Sequence, residues 1–368
     1  MDDRNNEIDN IFFPDTIDSH VHMFQCGVEG IKDLINFQNQ FGYTASNFLS
    51  CECMDDAVQN ALGIYLKLTA PQNYAFGGFH YRYSYSFLEE AKKLIEIGFD
   101  GMKMVENKPT LRKKLNMASN DSRYDEFYAW MEEEKLPMIV HVADPEEFWD
   151  RSLIPSWAWD AGYYYGDGSY VAKETIYKEV IDVLNRFPKL RISFAHFLFL
   201  SGDIKRLSAL MEQYPQMGLD MVAGTEMYFN FTKDPGAWRN FFLNYQDRII
   251  FGTDNMNLHD PVEVANAQII NRFEHAFIRT DQEIPAWDKT IKGIGLPQKV
   301  QRKIFRDNFK KLAGEKPKPI NLAAAIGYLE DRWKDEKLGL TDREQEIIFK
   351  VCEFCKEFYK GQKDVLVI

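Results

Sequence analysis

Arg248-Ile249-Ile250-Phe251-Gly252-Thr253-Asp254 is an apolar run that does not alternate with polar residues and that closes on a carboxylate. A strand solvated on one face alternates, whereas a strand covered on both faces reads as a continuous apolar run, as in a parallel sheet wrapped by helices. Leu136-Pro137-Met138-Ile139-Val140-His141 has the same character and closes on an imidazole. With residues 137–142 and 248–252 as two strands, six further stretches read as candidate strands, over 15–20, 44–49, 75–80, 99–105, 191–196 and 218–222. Helical patterns separate them. Ser86 and Glu89 form a capping box ahead of Leu88, Ala91, Leu94 and Ile95, with Gly98 as the stop. Ile176, Val180, Ile181, Leu184 and Phe187 stripe a helix that Pro188 ends, and Asp203 caps one carrying Ile204, Leu207, Met211 and Tyr214 before Pro215. Eight strands alternating with helices predict an α/β protein, a (β/α)8 TIM barrel over residues 1–316. Pro317 and Pro319 mark a break. Residues 317–368 read as a helical C-terminal extension, packed on the barrel or on a subunit neighbour, with a second capping box at Thr341 and Glu344.

The chain has 368 residues, of which 45% are hydrophobic, enough for a sizeable core and too many for a disordered chain. A net charge of −12, from 44 basic and 56 acidic residues, argues against nucleic acid or an anionic membrane as a partner. It leaves a small anionic substrate open, because such a substrate responds to local charge. No run approaches the roughly 18 apolar residues of a membrane span. Met1-Asp2-Asp3-Arg4-Asn5-Asn6-Glu7 is too polar for a signal peptide, and five cysteines without a regular framework point to the reducing cytoplasm.

In Thr16-Ile17-Asp18-Ser19-His20-Val21-His22 the two imidazoles share one face of a strand. His141, His196 and Asp254 close the fifth, sixth and eighth strands, so these ligand types converge on the barrel mouth where such folds do chemistry. Asp18 reads as a support for His20, while Asp220 and Glu226, near the end of the seventh strand, could face the pocket. The long segment 144–173 carries Phe148, Trp149, Trp157, Trp159, Tyr163, Tyr164 and Tyr165, a wall for an apolar or aromatic substrate that also touches a partner chain. Arg82, two residues after the packing residue His80, reads equally as a carboxylate clamp or as one half of an ion pair. Cys352 and Cys355 lie on a helical stripe with Ile348, Val351 and Phe358 and are expected to be buried packing; Cys51 and Cys53 lack nearby ligand partners. His275 reads as a surface group, and His259 as a loop residue within reach of the mouth.

Taken in order, Asp18-Ser19-His20-Val21-His22, Val140-His141, Ala195-His196-Phe197 and Phe251-Gly252-Thr253-Asp254 resemble the amidohydrolase superfamily. The chain looks most like the amidohydrolase-related branch that includes aminocarboxymuconate semialdehyde decarboxylase and aromatic-acid decarboxylases, and Lys303-Ile304-Phe305-Arg306-Asp307-Asn308-Phe309-Lys310-Lys311-Leu312 resembles its closing helix. The resemblance implies one divalent metal ion on His20, His22, His141 and Asp254, zinc first, with manganese and iron as alternatives. It implies that Asp254 moves a proton between water and leaving group and that His196 polarises a carbonyl or holds the developing oxyanion. Lys103 would be carbamylated between two metals, as in some members, or steady a substrate anion as a free ammonium, or form a structural ion pair. Arg82, Lys103, Trp157 and Trp159 are the expected substrate contacts. The leading expectation is a metal-dependent hydrolase of a lactone or amide; the alternative is a metal-dependent non-oxidative decarboxylase of an aromatic or unsaturated acid. A small-molecule substrate carrying a carboxylate and a homodimer are expected as partners.

Overall fold

The computed structural model describes residues 11–52, 56–81, 86–222 and 226–365, with side chains to residue 361. Within them, β1 (Ile17–Val21), β2 (Ala45–Leu49), β3 (Tyr74–Gly77), β4 (Gly101–Asn107), β5 (Pro137–Val142), β6 (Arg191–Phe194), β7 (Met217–Asp220) and β8 (Ile249–Ile250) form one parallel sheet in chain order. The sheet closes on itself. Ser19 N donates to Phe251 O at 3.0 Å, Asp254 N to His20 O at 3.0 Å and His22 N to Asn255 O at 2.8 Å, which seats the last strand against the first. All eight expected strands are present, and the architecture is a (β/α)8 barrel.

β8 is shorter than its apolar run because Phe251 N does not continue the ladder. It donates at 3.0 Å to Ile304 O, in a π-turn at Lys303–Asp307 of the helix that closes the barrel. That helix ends in Asn308–Ala313, and Phe309 plugs the floor of the barrel with Ile17, Leu49, Tyr74, Phe76, Ile139 and Ile250. The mouth is thereby left as the end where polar side chains gather.

The local signals translate into geometry. Ser86 Oγ accepts from Glu89 N at 3.3 Å and Gly98 ends that helix in the left-handed region, at φ 116°. Asp203 Oδ1 accepts from Arg206 N at 3.0 Å. A Cβ on Gly98 would also stand 2.3 Å from Pro319 O, where the chain leaves the barrel. Gly98→Ala is therefore expected to destabilise by more than about 1 kcal/mol, through both backbone strain and the clash. A melting temperature equal to wild type would contradict this.

Beyond the barrel, a hairpin of β9 (Glu283–Ala286) and β10 (Lys289–Lys292) follows the helix Pro261–Arg279. The helices Leu322–Lys334 and Asp342–Val365 pack on the barrel's flank. The second capping box forms: Thr341 N donates to Glu344 Oε2 at 2.8 Å and Glu344 N to Thr341 Oγ1 at 3.3 Å. Glu344 Oε1 also accepts from Ala57 N at 2.9 Å, just ahead of the helix Gln59–Thr69, so one carboxylate serves two helix starts. Cys352 and Cys355 are buried among apolar side chains as expected. Among the described residues, no helix is long and apolar enough to cross a membrane.

Candidate metal centre

His20 and His22 leave β1 toward the mouth, and their Nε2 atoms lie 3.0 Å apart. Each ring is held from behind through Nδ1. His22 Nδ1 donates to Leu49 O at 2.8 Å; a carbonyl only accepts, so the proton sits on Nδ1 and the Nε2 lone pair faces the mouth. His20 Nδ1 meets Asp220 Oδ2 at 2.6 Å. Burial, with Lys103 adding to it, lowers both imidazole pKa values, that of His22 to about 3, so both rings are neutral. Neutral imidazole is the metal-ligating form.

Asp254 completes the group. Its backbone is left-handed at φ 56°, which turns the carboxylate back over β1. Oδ1 lies 3.4 Å from His22 Nε2 and 3.6 Å from His20 Nε2, while Oδ2 lies 4.0 Å from His196 Nε2. Burial pushes this carboxyl up to about 6, with Lys103 opposing. Donor atoms of His20, His22 and Asp254 all fall within 4.8 Å of one another, the compact group of ligand types among the described residues. Two imidazole lone pairs and a carboxylate oxygen turned toward one point are a donor set that fits a divalent cation.

The support beneath is dense. Asp18 accepts from Thr253 N at 3.1 Å, Thr253 Oγ1 at 2.7 Å and His20 N at 3.2 Å, so it ties β1 to the loop bearing Asp254. Gly252 is required by close approach: a Cβ there would stand 2.7 Å from Asp220 Oδ1 and 2.8 Å from His20 Cβ.

His141 stands on the same pocket wall but outside the compact group. Its Nε2 is taken by Ala143 O at 2.8 Å and Asp144 Oδ1 at 3.2 Å, which leaves Nδ1 as the nitrogen free to ligate. Asp144 also accepts from Lys108 Nζ at 2.8 and 2.9 Å and from Tyr165 OH at 2.6 Å. Although burial opposes it, the Lys108 ammonium and the His141 bond hold the Asp144 carboxyl well below the usual carboxylate range.

His196 occupies the first of four consecutive left-handed residues, His196 to Phe199, with φ between 50° and 57°. Such a run costs about 1–2 kcal/mol per residue in L-amino acids, and here it bends the imidazole from the end of β6 back over the pocket. Tyr177 OH caps the Leu198 carbonyl at 2.6 Å and holds the turn in place. His196 Nδ1 lies 3.2 Å from Val222 O, so its proton is on Nδ1 and the neutral ring offers Nε2 as a lone pair. Burial keeps that ring neutral. The expected role of polarising a carbonyl needs an N–H at Nε2; the tautomer instead suits a proton acceptor or a ligand.

Lys103 is buried in β4 with Nζ 3.1 Å from His20 Nε2. Cys51, read from the sequence as isolated, in fact lines the pocket, with Sγ 3.6 Å from His22 Nδ1. The pocket, about 510 Å³, is further walled by Phe24, Val105, Lys108, Tyr163, Met256 and Asn257. Trp157 and Trp159 do not line it. Segment 144–173 folds around its own cluster of Phe148, Ala158 and Tyr165, and of its expected aromatic wall it sends Tyr163 to this pocket. Trp159 packs against Tyr164 and under Arg151. Arg82 and Cys53 lie outside the described residues. His259 is exposed on its loop. His275 is not a surface group: it is buried, accepts from Phe13 N at 3.1 Å and stacks on Phe305 at 4.5 Å.

Asp220, only a candidate from the sequence, is the buried carboxylate that orients His20. Removing such a partner typically weakens metal binding 10–100-fold. Asp220→Ala is expected to lose metal to a competing chelator at about that ratio. An affinity within twofold of wild type would remove Asp220 from the site.

Solved structures share the fold at low identity. An uncharacterised TIM-barrel protein from Bordetella bronchiseptica has 11% identity and a TM-score of 0.51, over 81% of this chain and 97% of that one. 4-Oxalomesaconate hydratase from Rhodopseudomonas palustris has 13% identity and a TM-score of 0.52, over 87% and 99%. An IDCase from Metarhizium anisopliae has 14% identity and a TM-score of 0.50, over 82% and 98%. No curated protein matches the sequence. The amidohydrolase family model matches residues 58–312, from the loop after β2 through the closing helix and so including His141, His196 and Asp254. The chain belongs to the amidohydrolase family.

Proposed function

We propose that this protein is a metal-dependent hydrolase cleaving a carbonyl C–O or C–N bond in a small lactone or amide, with one divalent cation, zinc first, held by His20, His22 and Asp254 and with His141 beside them. The observation that carries the proposal is the pair of Nε2 lone pairs, 3.0 Å apart, facing the Asp254 carboxylate at the base of a 510 Å³ pocket. When bound, such a cation supplies Lewis acidity, polarising a carbonyl and bringing the pKa of water to about 7.

The chain's own groups supply the rest. Asp254 Oδ1 faces the two imidazoles, which leaves Oδ2, on the His196 side, to take a proton from water and return it to the leaving oxygen or nitrogen. His196 Nε2 is the second acceptor beside that path. Lys108 stands in the pocket wall, its ammonium held by Asp144, and presents positive charge to an acidic substituent on the substrate. Tyr163 gives the apolar part of a substrate a ring to lie against.

The two ammonium groups in the pocket, Lys103 and Lys108, favour a second reading, decarboxylation of an aromatic or unsaturated acid. One screen separates the two. Metal-loaded protein is offered a panel of lactones and amides, and in parallel aromatic acids with carbon dioxide release followed. Ring opening or amide cleavage that stops on chelation supports the hydrolase. Carbon dioxide release with no lactone or amide turnover replaces it with the decarboxylase.

A further inference from the structure

A second cavity, of about 610 Å³, opens beside the metal pocket. Phe148, Trp157, Phe229 and Trp287 give it aromatic walls, and Glu147, Glu226 and Asp288 give it acid; of its two lysines, Lys233 donates to Asn230 Oδ1 at 2.7 Å and Lys289 lies over the Phe229 ring. Only one layer of rings separates the two spaces: Phe148 lines this cavity, Tyr163 lines the metal pocket, and the two stack with centroids 6.2 Å apart and planes 9° from parallel.

Two features set this cavity apart from an ordinary surface dimple. Both oxygens of Glu226, and Oε2 of Glu147, are out of contact with solvent and have no hydrogen-bond partner among the described residues. A buried carboxylate without a donor is costly, and Lys173, whose ammonium opposes the rise in the Glu226 pKa, is already taken by Glu146 at 2.9 Å. Burial, with Glu147 adding to it and Lys173 opposing, pushes the Glu226 carboxyl up to about 7. The second feature is how the indoles are held. Trp287 sits in the turn between β9 and β10 at φ 52°, a conformation that a bulky side chain avoids, and remains 43% exposed, while Trp157 is 49% exposed. Large rings kept open to solvent around unpaired acid are what a cation on an apolar body requires. The walls already take one such contact, since Lys289 Nζ lies 4.5 Å over the Phe229 ring.

We propose that this cavity is a second binding site, for an organic ammonium ion carried on an apolar body, with Glu226 and Glu147 as its counter-charge and Trp157 and Trp287 as its walls. Calcium or magnesium is disfavoured by the aromatic lining, because each needs six or so oxygen ligands, and zinc by the lack of imidazole or thiolate among the lining residues.

The probe is benzyltrimethylammonium chloride, titrated at pH 8 into the full-length protein with tryptophan fluorescence and calorimetry as readouts, and sodium chloride as the ionic control. Saturable binding is expected, equal in metal-loaded and chelator-treated protein. Glu226→Gln should weaken it about tenfold, the scale of a lost contact to a charged group. Trp287→Ala, on an exposed turn, should weaken it several-fold, and His22→Ala should leave it unchanged. Three results would overturn the proposal: no saturation by about 20 mM, equal affinity in both Glu226→Gln and Trp287→Ala, or binding lost in His22→Ala, which would place the probe in the metal pocket.

Discussion

Asp254→Asn protein is expected to turn over the substrate found in the screen at least about 10³-fold more slowly than wild type, with its melting temperature nearly unchanged. The size follows from two losses at one residue. A general base contributes about 10²–10⁴ in rate, and the amide that replaces it takes no proton from water. The same change removes the negative donor that faces His20 and His22 at 3.6 and 3.4 Å. A factor of 10³ is about 4 kcal/mol of transition-state stabilisation. Stability should hold because asparagine tolerates the left-handed backbone at φ 56° and keeps the Asp254 N to His20 O bond. Metal content and rate are measured on the same samples. Turnover within tenfold of wild type, with metal retained, would exclude Asp254 from the chemistry.

The barrel was legible because several of its strands are unbroken apolar runs and four of them end on ligand-type residues. Ile249-Ile250-Phe251 was read as strand, yet the ladder stops at Ile250, because a backbone bond to a helix remote in sequence competes for Phe251 N. No local pattern encodes that competition. The same distinction runs through the site. His20, His22 and Asp254 were legible from spacing, since alternation and strand ends fix where they point. The pairing of Asp220 with His20 was not, because it joins residues 200 positions apart and a carboxylate at a strand end has several directions open to it. Trp157 and Trp159 were read as substrate contacts from aromatic density alone. Density marks a cluster but not which cavity the cluster lines, and their segment folded on itself. His275 looked solvated because its neighbours in sequence are charged; the helix turns its face onto Phe305 and Tyr43 instead.

The second large effect lies on the barrel's flank, where Arg332 pins the helix Leu322–Lys334 to the barrel. Its Nη1 donates to Glu52 Oε2 at 2.7 Å and its Nη2 to Glu90 Oε1 at 2.7 Å, all three side chains being buried. The pair continues inward. Glu52 Oε1 accepts from Asn60 N at 2.7 Å at the start of the helix Gln59–Thr69, and Asn60 Nδ2 in turn donates to Gly78 O at 3.0 Å beyond the end of β3. Arg332→Ala leaves two carboxylates facing each other without a cation, a change that costs about 3–5 kcal/mol in buried pairs, or roughly 4–7 °C in melting temperature for a chain of this length. The pH dependence has a definite sign. Burial already pushes Glu52 up to about 7, with Arg332 opposing, so its folded value stands above its unfolded one. Such a group favours folding below the unfolded value and opposes it as pH rises through the folded value. Loss of Arg332 moves the folded value higher still, so the gap between variant and wild type should widen from pH 5 to pH 8. Combining Arg332→Met with Glu52→Gln and Glu90→Gln should recover most of the loss, since buried neutral groups need no counter-ion. A deficit below about 1 kcal/mol, or one that narrows as pH rises, would mean that packing of the apolar stem rather than the charge network holds this helix in place.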